Sequence, residues 1–272
     1  MTPAVLRPRT LHAALRARAA DPAAVVVAGG TAVMVQLNAG ARPATLIDLS
    51  LVEELRAIGR DGAAVRIGAA VTYTRVIEEL AGPLPGLAAA SRTIAGRQVR
   101  NRATPAGALV LGDPSGDALA ALVAADARLE LAALGREARS VRVHDFISGP
   151  GSTLLAPDEL VVALVVPVAP GPVAYAKAGA RNAMARAVCG VAAALDPGRR
   201  MAAIAVVGAG PRPVRARGAE QLFAAQAPWA EPGAPLEPGW LAEIGERIAG
   251  AVEGLADARG SAAYRRQLAA VL

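Results

Sequence analysis

The stretches VVVAGGTAVMVQL (residues 25–37) and VRNRATPAGALVLGDPSGD (residues 99–117) decide how this chain folds and what it can bind. Each places glycines and other small residues where a backbone can approach a ligand closely. Each can also present backbone N–H groups to a phosphate. Two such loops, well separated along the chain, predict one long anionic ligand held from two sides. A dinucleotide with a central pyrophosphate is the natural candidate.

The composition favours a folded protein of one or two domains and argues against several classes of function. Apolar residues make up 54% of the 272 positions, so a large core is available. The net charge is +6, but the arginines are spread along the chain and are not interleaved with aromatic residues. Nucleic-acid binding is therefore not expected. The longest apolar runs are interrupted by glycine, proline or charge, so we expect no membrane span.

Cysteine and histidine are too rare for most metal or triad chemistry. The single cysteine, Cys189, precludes an internal disulfide and an iron–sulfur cluster, and it suits a reducing compartment such as the cytoplasm. His12 and His144 lie far apart and outside any metal-ligand spacing, so neither a metal site nor a Ser-His-Asp triad is expected. We assign no catalytic side chain.

The order of apolar and turn-forming segments predicts alternating helices and strands. A helix at 10–20, a strand at 24–28, a helix at 32–38 and a strand at 45–48 form a compact parallel unit. A Pro/Gly cluster at 167–172 marks a domain boundary, and the proline-rich stretch 227–240 is predicted to be a loop. The remaining predicted strands are 64–68, 128–132 and 159–166, and the remaining helices are 72–80, 86–94, 117–125, 241–254 and 264–272.

The residue patterns at the two loops have both a binding and a purely structural interpretation. AGGT, Ala28 to Thr31, follows a buried strand and opens a helix, which is the context of a phosphate site but also of an ordinary tight turn. TPAGA, Thr104 to Ala108, likewise combines a hydroxyl residue with a glycine and other small residues. Asp117 can accept hydrogen bonds from ribose hydroxyls, or it can simply cap a helix.

Five longer segments together resemble the FAD-binding medium subunit of the molybdenum hydroxylases, the family that includes carbon monoxide dehydrogenase and xanthine dehydrogenase-type enzymes. The segments are AGGTAVMVQL with PATLIDLS, IAGRQVRNRATPAGALVLGDPSGDALAALVAADARLEL, FISGPGSTLLAPDELVVALVVP, GPRPVRARGAEQLF and GSAAYRRQLAAVL. They occur in the family's order and cover nearly the whole chain, whereas a lone AGGT would be a weak signal.

The resemblance implies an α+β fold with two FAD-binding subdomains of the vanillyl-alcohol-oxidase (PCMH-like) type. A C-terminal α+β domain with a three-stranded antiparallel sheet follows. The implied bounds are 1–168 for the FAD-binding domain, with subdomains of about 1–55 and 56–168, and 172–272 for the C-terminal domain. The implied electron path runs from a large molybdopterin-binding subunit through a small [2Fe-2S] subunit to FAD, and then to NAD or another acceptor.

The resemblance also implies which residues contact FAD. The pyrophosphate of FAD would lie against the two loops, and Asp117 would lie at the ribose or ribityl side of the cofactor. Ile94 and Val161 would lie beside the flavin ring system, and Lys177 near its polar edge. The full set of implied FAD-binding residues is Ala28, Gly29, Gly30, Thr31, Ala32, Ile94, Thr104, Ala106, Gly107, Ala108, Asp117, Val161 and Lys177.

A departure from the family pattern supports a second hypothesis, in which the chain binds no flavin. The second loop reads TPAGA where the family has TIGG, and Pro105 removes one backbone donor. A flavin-free scaffold or partner-binding subunit would account for that change. A flavoprotein that oxidises a small molecule without molybdenum partners is the third hypothesis.

Overall fold

The computed structural model of the chain describes residues 2–230 and 234–272. The strands in that part of the chain are β1 Ala4–Leu6, β2 Val25–Val27, β3 Thr45–Asp48, β4 Ile58–Asp61, β5 Ala64–Gly68, β6 Arg128–Ala132, β7 Arg139–Arg142, β8 Ile147–Gly149, β9 Ser152–Thr153, β10 Leu160–Pro167, β11 Val173–Gly179, β12 Ala187–Asp196, β13 Met201–Val207 and β14 Val214–Arg215. The helices are α1 Leu11–Ala20, α2 Val33–Asn38, α3 Tyr73–Glu79, α4 Pro85–Arg92, α5 Arg97–Arg100, α6 Pro105–Val110, α7 Asp117–Ala124, α8 Val143–Phe146, α9 Arg217–Gln226, α10 Pro238–Ala251 and α11 Ala262–Val271.

The first sheet is the small parallel unit that the sequence predicts, with one added strand. β2 and β3 pair in parallel, Val25 opposite Leu46, and β1 pairs in parallel with the other side of β3. The connection between β2 and β3 runs through the AGGT turn and α2. The turn therefore lies at the carboxyl end of a parallel strand, where ligands bind in open α/β sheets.

The second sheet is antiparallel and has the strand order β4-β5-β10-β6-β7. Its three central strands are the ones predicted at 64–68, 128–132 and 159–166. β10 is almost entirely buried because its apolar run contacts elements on both faces. Its register with β6 shifts between Val161 and Ala163, so the strand bulges at that point.

The third sheet carries one strand more than expected. β11, β12 and β13 form the predicted three-stranded antiparallel core, and β14 adds two residues beside β13. Pro211 and Pro213 restrict the backbone just before β14, which favours an extended return of the chain along β13. The stretch AVCGVAAAL, which the sequence leaves open between helix and strand, is strand β12.

A second hydrophobic cluster combines the third sheet with α9, α10 and α11, whereas the main core contains residues of all three sheets and of helix α7. All eight of its residues are buried, and it packs against α4, β12 and β13. Its first residue, Asp117, is therefore held where α4, α7 and the third sheet meet.

The proline-rich loop is shorter than predicted. α10 already begins at Pro238, since proline is favoured in the first helical turn, where its missing N–H is not needed. Residues 231–233 of the predicted loop lie outside the described residues. No helix among the described residues is long and apolar enough to cross a membrane.

Candidate functional site

A cavity of about 310 Å³ opens between the first and second sheets. Its volume falls within the usual range for small-molecule and cofactor sites. The residues that line it are mostly small or apolar: Arg18, Ala24, Val25, Val26, Ala28, Gly29, Gly30, Thr31, Ala32, Val33, Gln36, Leu49, Ala69, Ala103, Thr104, Ala106, Gly107, Ala108, Val110, Leu111, Leu155, Glu159, Leu160 and Val161.

The AGGT turn supplies backbone donors to this cavity. The N–H groups from Gly29 to Ala32 donate to no other group among the described residues. Gly30 has a φ of +78°, a left-handed conformation that only glycine adopts without strain. The turn therefore points a series of unpaired donors into a cavity, as a phosphate-binding turn does.

The two glycine loops press directly against each other. A Cβ atom added at Gly29 would lie 2.0 Å from the carbonyl oxygen of Arg102, far inside contact distance. The Ala103 carbonyl accepts a hydrogen bond from the Tyr73 backbone N–H at 2.9 Å, which ties this segment to α3. Glycine is required at position 29 because two backbones meet there.

The altered TPAGA loop is an unstrained helix start. Thr104 is the N-cap of α6, and its hydroxyl oxygen accepts the Gly107 N–H at 2.9 Å. Pro105 occupies the first helical position, where its missing N–H has no intrahelical partner to lose. Ala106 has no positive φ, so its Cβ causes no backbone strain. The Thr104 hydroxyl hydrogen stays free to donate to a ligand.

Two charged side chains, Arg18 and Glu159, belong to the cavity lining. The Arg18 Nη1 donates to the Ala24 carbonyl at 2.7 Å. Glu159 is buried and is paired with Arg139, whose Nε lies 2.6 Å from Oε1. The hydrogen bond from Arg139 holds the pKa of Glu159 below its usual value, so this carboxyl group is ionised at neutral pH.

Asp117 forms a separate buried cluster where α4, α7 and the third sheet meet. Its Oδ1 accepts the Tyr175 hydroxyl at 2.8 Å, and its Oδ2 accepts the Lys177 Nζ at 2.7 Å and the Thr93 hydroxyl at 3.2 Å. Burial, with the nearby Asp117 charge, raises the pKa of Tyr175 far above its usual value. The tyrosine is therefore a neutral donor at any physiological pH.

Lys177 has no N–H left for a ligand. Besides Asp117, its Nζ donates to the carbonyl oxygens of Thr93 at 3.0 Å and Ala185 at 2.9 Å. An ammonium group has three N–H bonds, and all three are used here. Ala95, two residues after Thr93, and Met184, next to Ala185, have positive φ values of 40° and 52°, so Lys177 joins two strained turns.

The structure gathers ten of the thirteen sequence-predicted site residues around the cavity. They are Ala28, Gly29, Gly30, Thr31, Ala32, Thr104, Ala106, Gly107, Ala108 and Val161. Ile94, Asp117 and Lys177 are not part of its lining. Ile94 directly follows Thr93, and its carbonyl accepts a hydrogen bond from Arg100 at 2.8 Å. The flavin contacts assigned to these three residues remain predictions.

Sequence reasoning missed the charged part of the lining. Arg18 lies in a helix whose pattern gives no indication that one of its arginines turns inward. Glu159 precedes an apolar strand, which is an ordinary position for a surface residue. Of the arginines near the second loop, Arg100 supports the backbone of residues 94 and 95 and does not face the cavity.

The geometry fits a dinucleotide such as FAD. Free N–H groups at the first loop and a free hydroxyl at the second can bind a pyrophosphate from two sides. The walls beyond them are apolar, as planar ring systems require. Among the described residues no group of three or more His, Cys, Asp or Glu side chains is placed to hold a metal ion.

Two family models match the chain, one for each of its sequence regions. Residues 2–169 match the FAD binding domain in molybdopterin dehydrogenase, and residues 174–272 match the CO dehydrogenase flavoprotein C-terminal domain. The xanthine dehydrogenase FAD-binding subunit of Escherichia coli O157:H7 is 37% identical over 226 residues, which cover 79% of this chain and 77% of the relative. The nicotine 6-hydroxylase medium subunit of Paenarthrobacter nicotinovorans is 30% identical over 267 residues, or 96% and 91% of the two chains.

Solved structures share the complete fold. Quinoline 2-oxidoreductase from Pseudomonas putida 86 matches with a TM-score of 0.89 at 25% identity, covering 99% of this chain and 93% of that one. The cyanide-inactivated Cu,Mo-CO dehydrogenase matches with a TM-score of 0.89 at 27% identity, and the match covers 100% of this chain and 94% of that one. The predicted resemblance and the predicted α+β fold class are confirmed.

Proposed function

The chain belongs to the family of FAD-binding medium subunits of the molybdenum hydroxylases, and we propose that it transfers electrons through FAD between an iron–sulfur partner and an acceptor. It is a subunit of an oxidoreductase complex, and FAD is its cofactor. The observation that carries the proposal is the pairing of two glycine loops, with free N–H groups on one and a free hydroxyl on the other, at the mouth of an apolar cavity.

The residues of the cavity have separate tasks in this proposal. The Gly29 to Ala32 N–H groups and the Thr104 hydroxyl bind the pyrophosphate of FAD. Val161 and its apolar neighbours exclude water from the rings. When bound, FAD supplies the redox chemistry, because a flavin accepts electrons from one partner and passes them to another. The chain needs no acid–base side chain for that task.

The Asp117 cluster has a positioning role in the proposal. Lys177 and Tyr175 lie on β11, whereas Asp117 and Thr93 belong to the preceding region, so the cluster joins the proposed domains 1–168 and 172–272. By fixing the carbonyls of Thr93 and Ala185, Lys177 sets the shape of two turns in the vicinity of Ile94. We propose that these turns border the flavin ring.

The proposed partners follow from the family. The relative named a medium subunit implies larger and smaller companions. We propose a large molybdopterin-binding subunit and a small [2Fe-2S] subunit, with NAD, oxygen or a quinone as the acceptor. Substrate choice then belongs to the large subunit.

The decisive experiment is an FAD titration of the apoprotein, followed by visible absorbance and flavin fluorescence. Gly30→Ala and Gly62→Ala form a matched pair, because both glycines have positive φ and both changes strain a turn. Only Gly30 lines the cavity. We expect the wild-type chain and Gly62→Ala to bind FAD, and Gly30→Ala to bind it at least tenfold more weakly. A folded wild-type chain that stays colourless at saturating FAD would overturn the proposal in favour of the flavin-free scaffold.

The partner assignment needs its own measurement. The chain is purified with its natural partners from the cells that make it, and the complex is analysed for molybdenum, iron and flavin. Molybdenum and iron that co-elute with the flavin support the electron-transfer role. Flavin without either metal would favour the stand-alone flavoprotein instead.

A further inference from the structure

Acidic residues are missing from two long segments of the chain. Residues 80–112 contain four arginines and no Asp or Glu, and residues 160–195 contain Lys177, two arginines and again no acidic residue. These segments therefore hold seven positive charges, although the net charge of the whole chain is only +6. The basic character of the chain thus belongs to these two segments, since the remainder is close to neutral.

The fold joins the two segments into one surface. The Lys177 Nζ donates to the Thr93 carbonyl of the first segment and to the Ala185 carbonyl of the second. A Cβ atom added at Gly96 would lie 3.6 Å from the Met184 Sδ, so the turn before α5 packs on the loop that follows β11. The contact between the segments therefore lies beside the two turns that we place at the flavin ring.

Exposed side chains around this contact form a basic patch, which consists of Arg97, Arg181, Arg186, Val99 and Met184. Arg181 is fixed to its own loop, because its Nε and Nη2 donate to the carbonyls of Ala183 and Met184. Of the three arginines, only Arg186 has a carboxylate of the described residues within salt-bridge distance, that of Asp113 at 3.0 Å. Arg97 and Arg181 therefore present positive charges that no acidic side chain in the described part of the chain neutralises.

The chemistry of the basic patch fits an acidic protein surface. Arginine and methionine are enriched where proteins meet, and Met184 is 59% exposed here. None of the patch residues lines the cavity between the first and second sheets. A small anion on such exposed arginines would gain little, because solvent screens single contacts. A protein surface with several carboxylates can meet all three arginines at once.

The balance of charged and apolar side chains favours a transient partner over a permanent subunit. Permanent interfaces are large and predominantly apolar, whereas weak electron-transfer complexes are small. Opposite charges guide the encounter in complexes of the second kind. In the basic patch three cations surround two apolar side chains, Val99 and Met184, so its composition is that of a charge-guided contact.

We propose that the basic patch docks a small acidic electron-carrier protein, which takes the electrons of the flavin to the final acceptor. Each molecule of such a carrier accepts one electron. Two of them therefore return one fully reduced FAD to its oxidised form, and its two protons pass to solvent. This inference rests on the proposed function, because it places the flavin ring beside the turns at Thr93 and Ala185.

The test measures binding of the FAD-loaded chain to an acidic plant-type [2Fe-2S] ferredoxin by calorimetry. Arg97→Gln/Arg181→Gln removes two charges from the basic patch, and the control Arg16→Gln/Arg247→Gln removes two exposed charges from α1 and α10. At low ionic strength we expect the dissociation constant to rise about tenfold in the patch variant and less than twofold in the control. High salt should abolish the difference, because it screens exposed charges.

A second variant guards against a disturbed loop. Arg97→Glu changes the charge by the same two units but leaves the hydrogen bonds of Arg181 in place. We expect it to remain folded by circular dichroism and to weaken ferredoxin binding at least as much as the double variant.

Stopped-flow absorbance tests whether docking serves electron transfer. The rate at which reduced ferredoxin transfers its electron to the bound FAD should fall in the patch variants by about the same factor as the affinity. Ferredoxin that binds to the wild type without transferring its electron would overturn the inference, because it would dock away from the flavin.

Three further results would overturn the inference while FAD binding upholds the proposed function. They are equal effects in the patch and control variants, no saturable ferredoxin binding by the wild type at low salt, and NAD⁺ binding that weakens in the patch variants while ferredoxin binding does not. If the chain binds no FAD, the proposed function fails. Ferredoxin binding by the apoprotein that depends on Arg97 and Arg181 would then still support the docking surface, and its absence would refute it.

Discussion

Replacement of Lys177 by Met should unfold the chain more readily, because it leaves the Asp117 carboxylate buried without its cation. The side chains of Lys177 and Asp117 are only 15% and 6% exposed, and their charged atoms lie 2.7 Å apart. Removing one partner of such a pair costs roughly 3–5 kcal/mol of folding free energy. The Thr93 and Ala185 carbonyls also lose their donor, so the upper part of this range applies.

The Arg66–Glu130 pair provides the control. Its charged atoms also lie 2.7 Å apart, but its side chains are 36% and 29% exposed. Solvent screening limits a pair of this kind to about 1 kcal/mol or less. Arg66→Met therefore separates the effect of burial from the effect of distance.

Urea unfolding of the apoprotein, followed by circular dichroism, measures both variants. The double variant Lys177→Met/Asp117→Asn should regain part of the lost stability, since the uncompensated charge is gone. The reasoning is refuted if Lys177→Met costs no more than Arg66→Met. If the Lys177→Met variant is stable but binds FAD much more weakly, the result would support the positioning role of Lys177 at the turns near Ile94.

Three further predictions concern other parts of the molecule. Gly29→Ala should cost about 1–3 kcal/mol of folding free energy and weaken FAD binding, because the added Cβ would meet the Arg102 carbonyl. Gly218 lies in open space on α9, so Gly218→Ala should be neutral or stabilising in the same urea experiment. Burial raises the pKa of the Cys189 thiol to about 11. A thiol reagent at pH 8 should therefore modify Cys189 only after the chain unfolds, and rapid modification of the native chain would contradict this prediction. Partial burial opposes ionisation of Asp257, but hydrogen bonds from Arg259 and Arg265 lower its pKa to about 2. The resulting stability is complete above the unfolded value near pH 4 and is lost as the pH falls towards 2, so Asp257→Asn should flatten the acid limb of a stability–pH curve.

The glycine loops could be predicted from sequence because their signals are local. AGGT follows three β-branched residues, and Thr104 stands three residues before Gly107, whose N–H it caps. The sequence alone does not decide the effect of Pro105. Its position as the first residue of a helix, which makes it harmless, becomes visible only when the helix is placed.

The Asp117 cluster and the two charged residues of the cavity lining depend on contacts between residues that are far apart in the sequence. No local sequence pattern indicates such contacts. Lys177 lies 60 residues after Asp117. Arg18 turns towards the cavity because α1 packs on β3 and on the following 3₁₀ turn at Glu53–Arg56. The fourth strand of the third sheet escaped prediction for a related reason, since two residues are too short to show a pattern of alternation.

The walls of the cavity come from stretches near residues 18–49, 69, 103–111 and 155–161, so no single segment holds the ligand. An unfolded chain presents nothing that resembles this arrangement. Whatever occupies the cavity is thermodynamically linked to folding, and a ligand at one hundred times its dissociation constant adds about 2.7 kcal/mol of stability. The unfolding midpoint of the chain therefore depends on the fraction of cavities that hold ligand. A cell that is short of cofactor would contain a larger unfolded fraction of this chain.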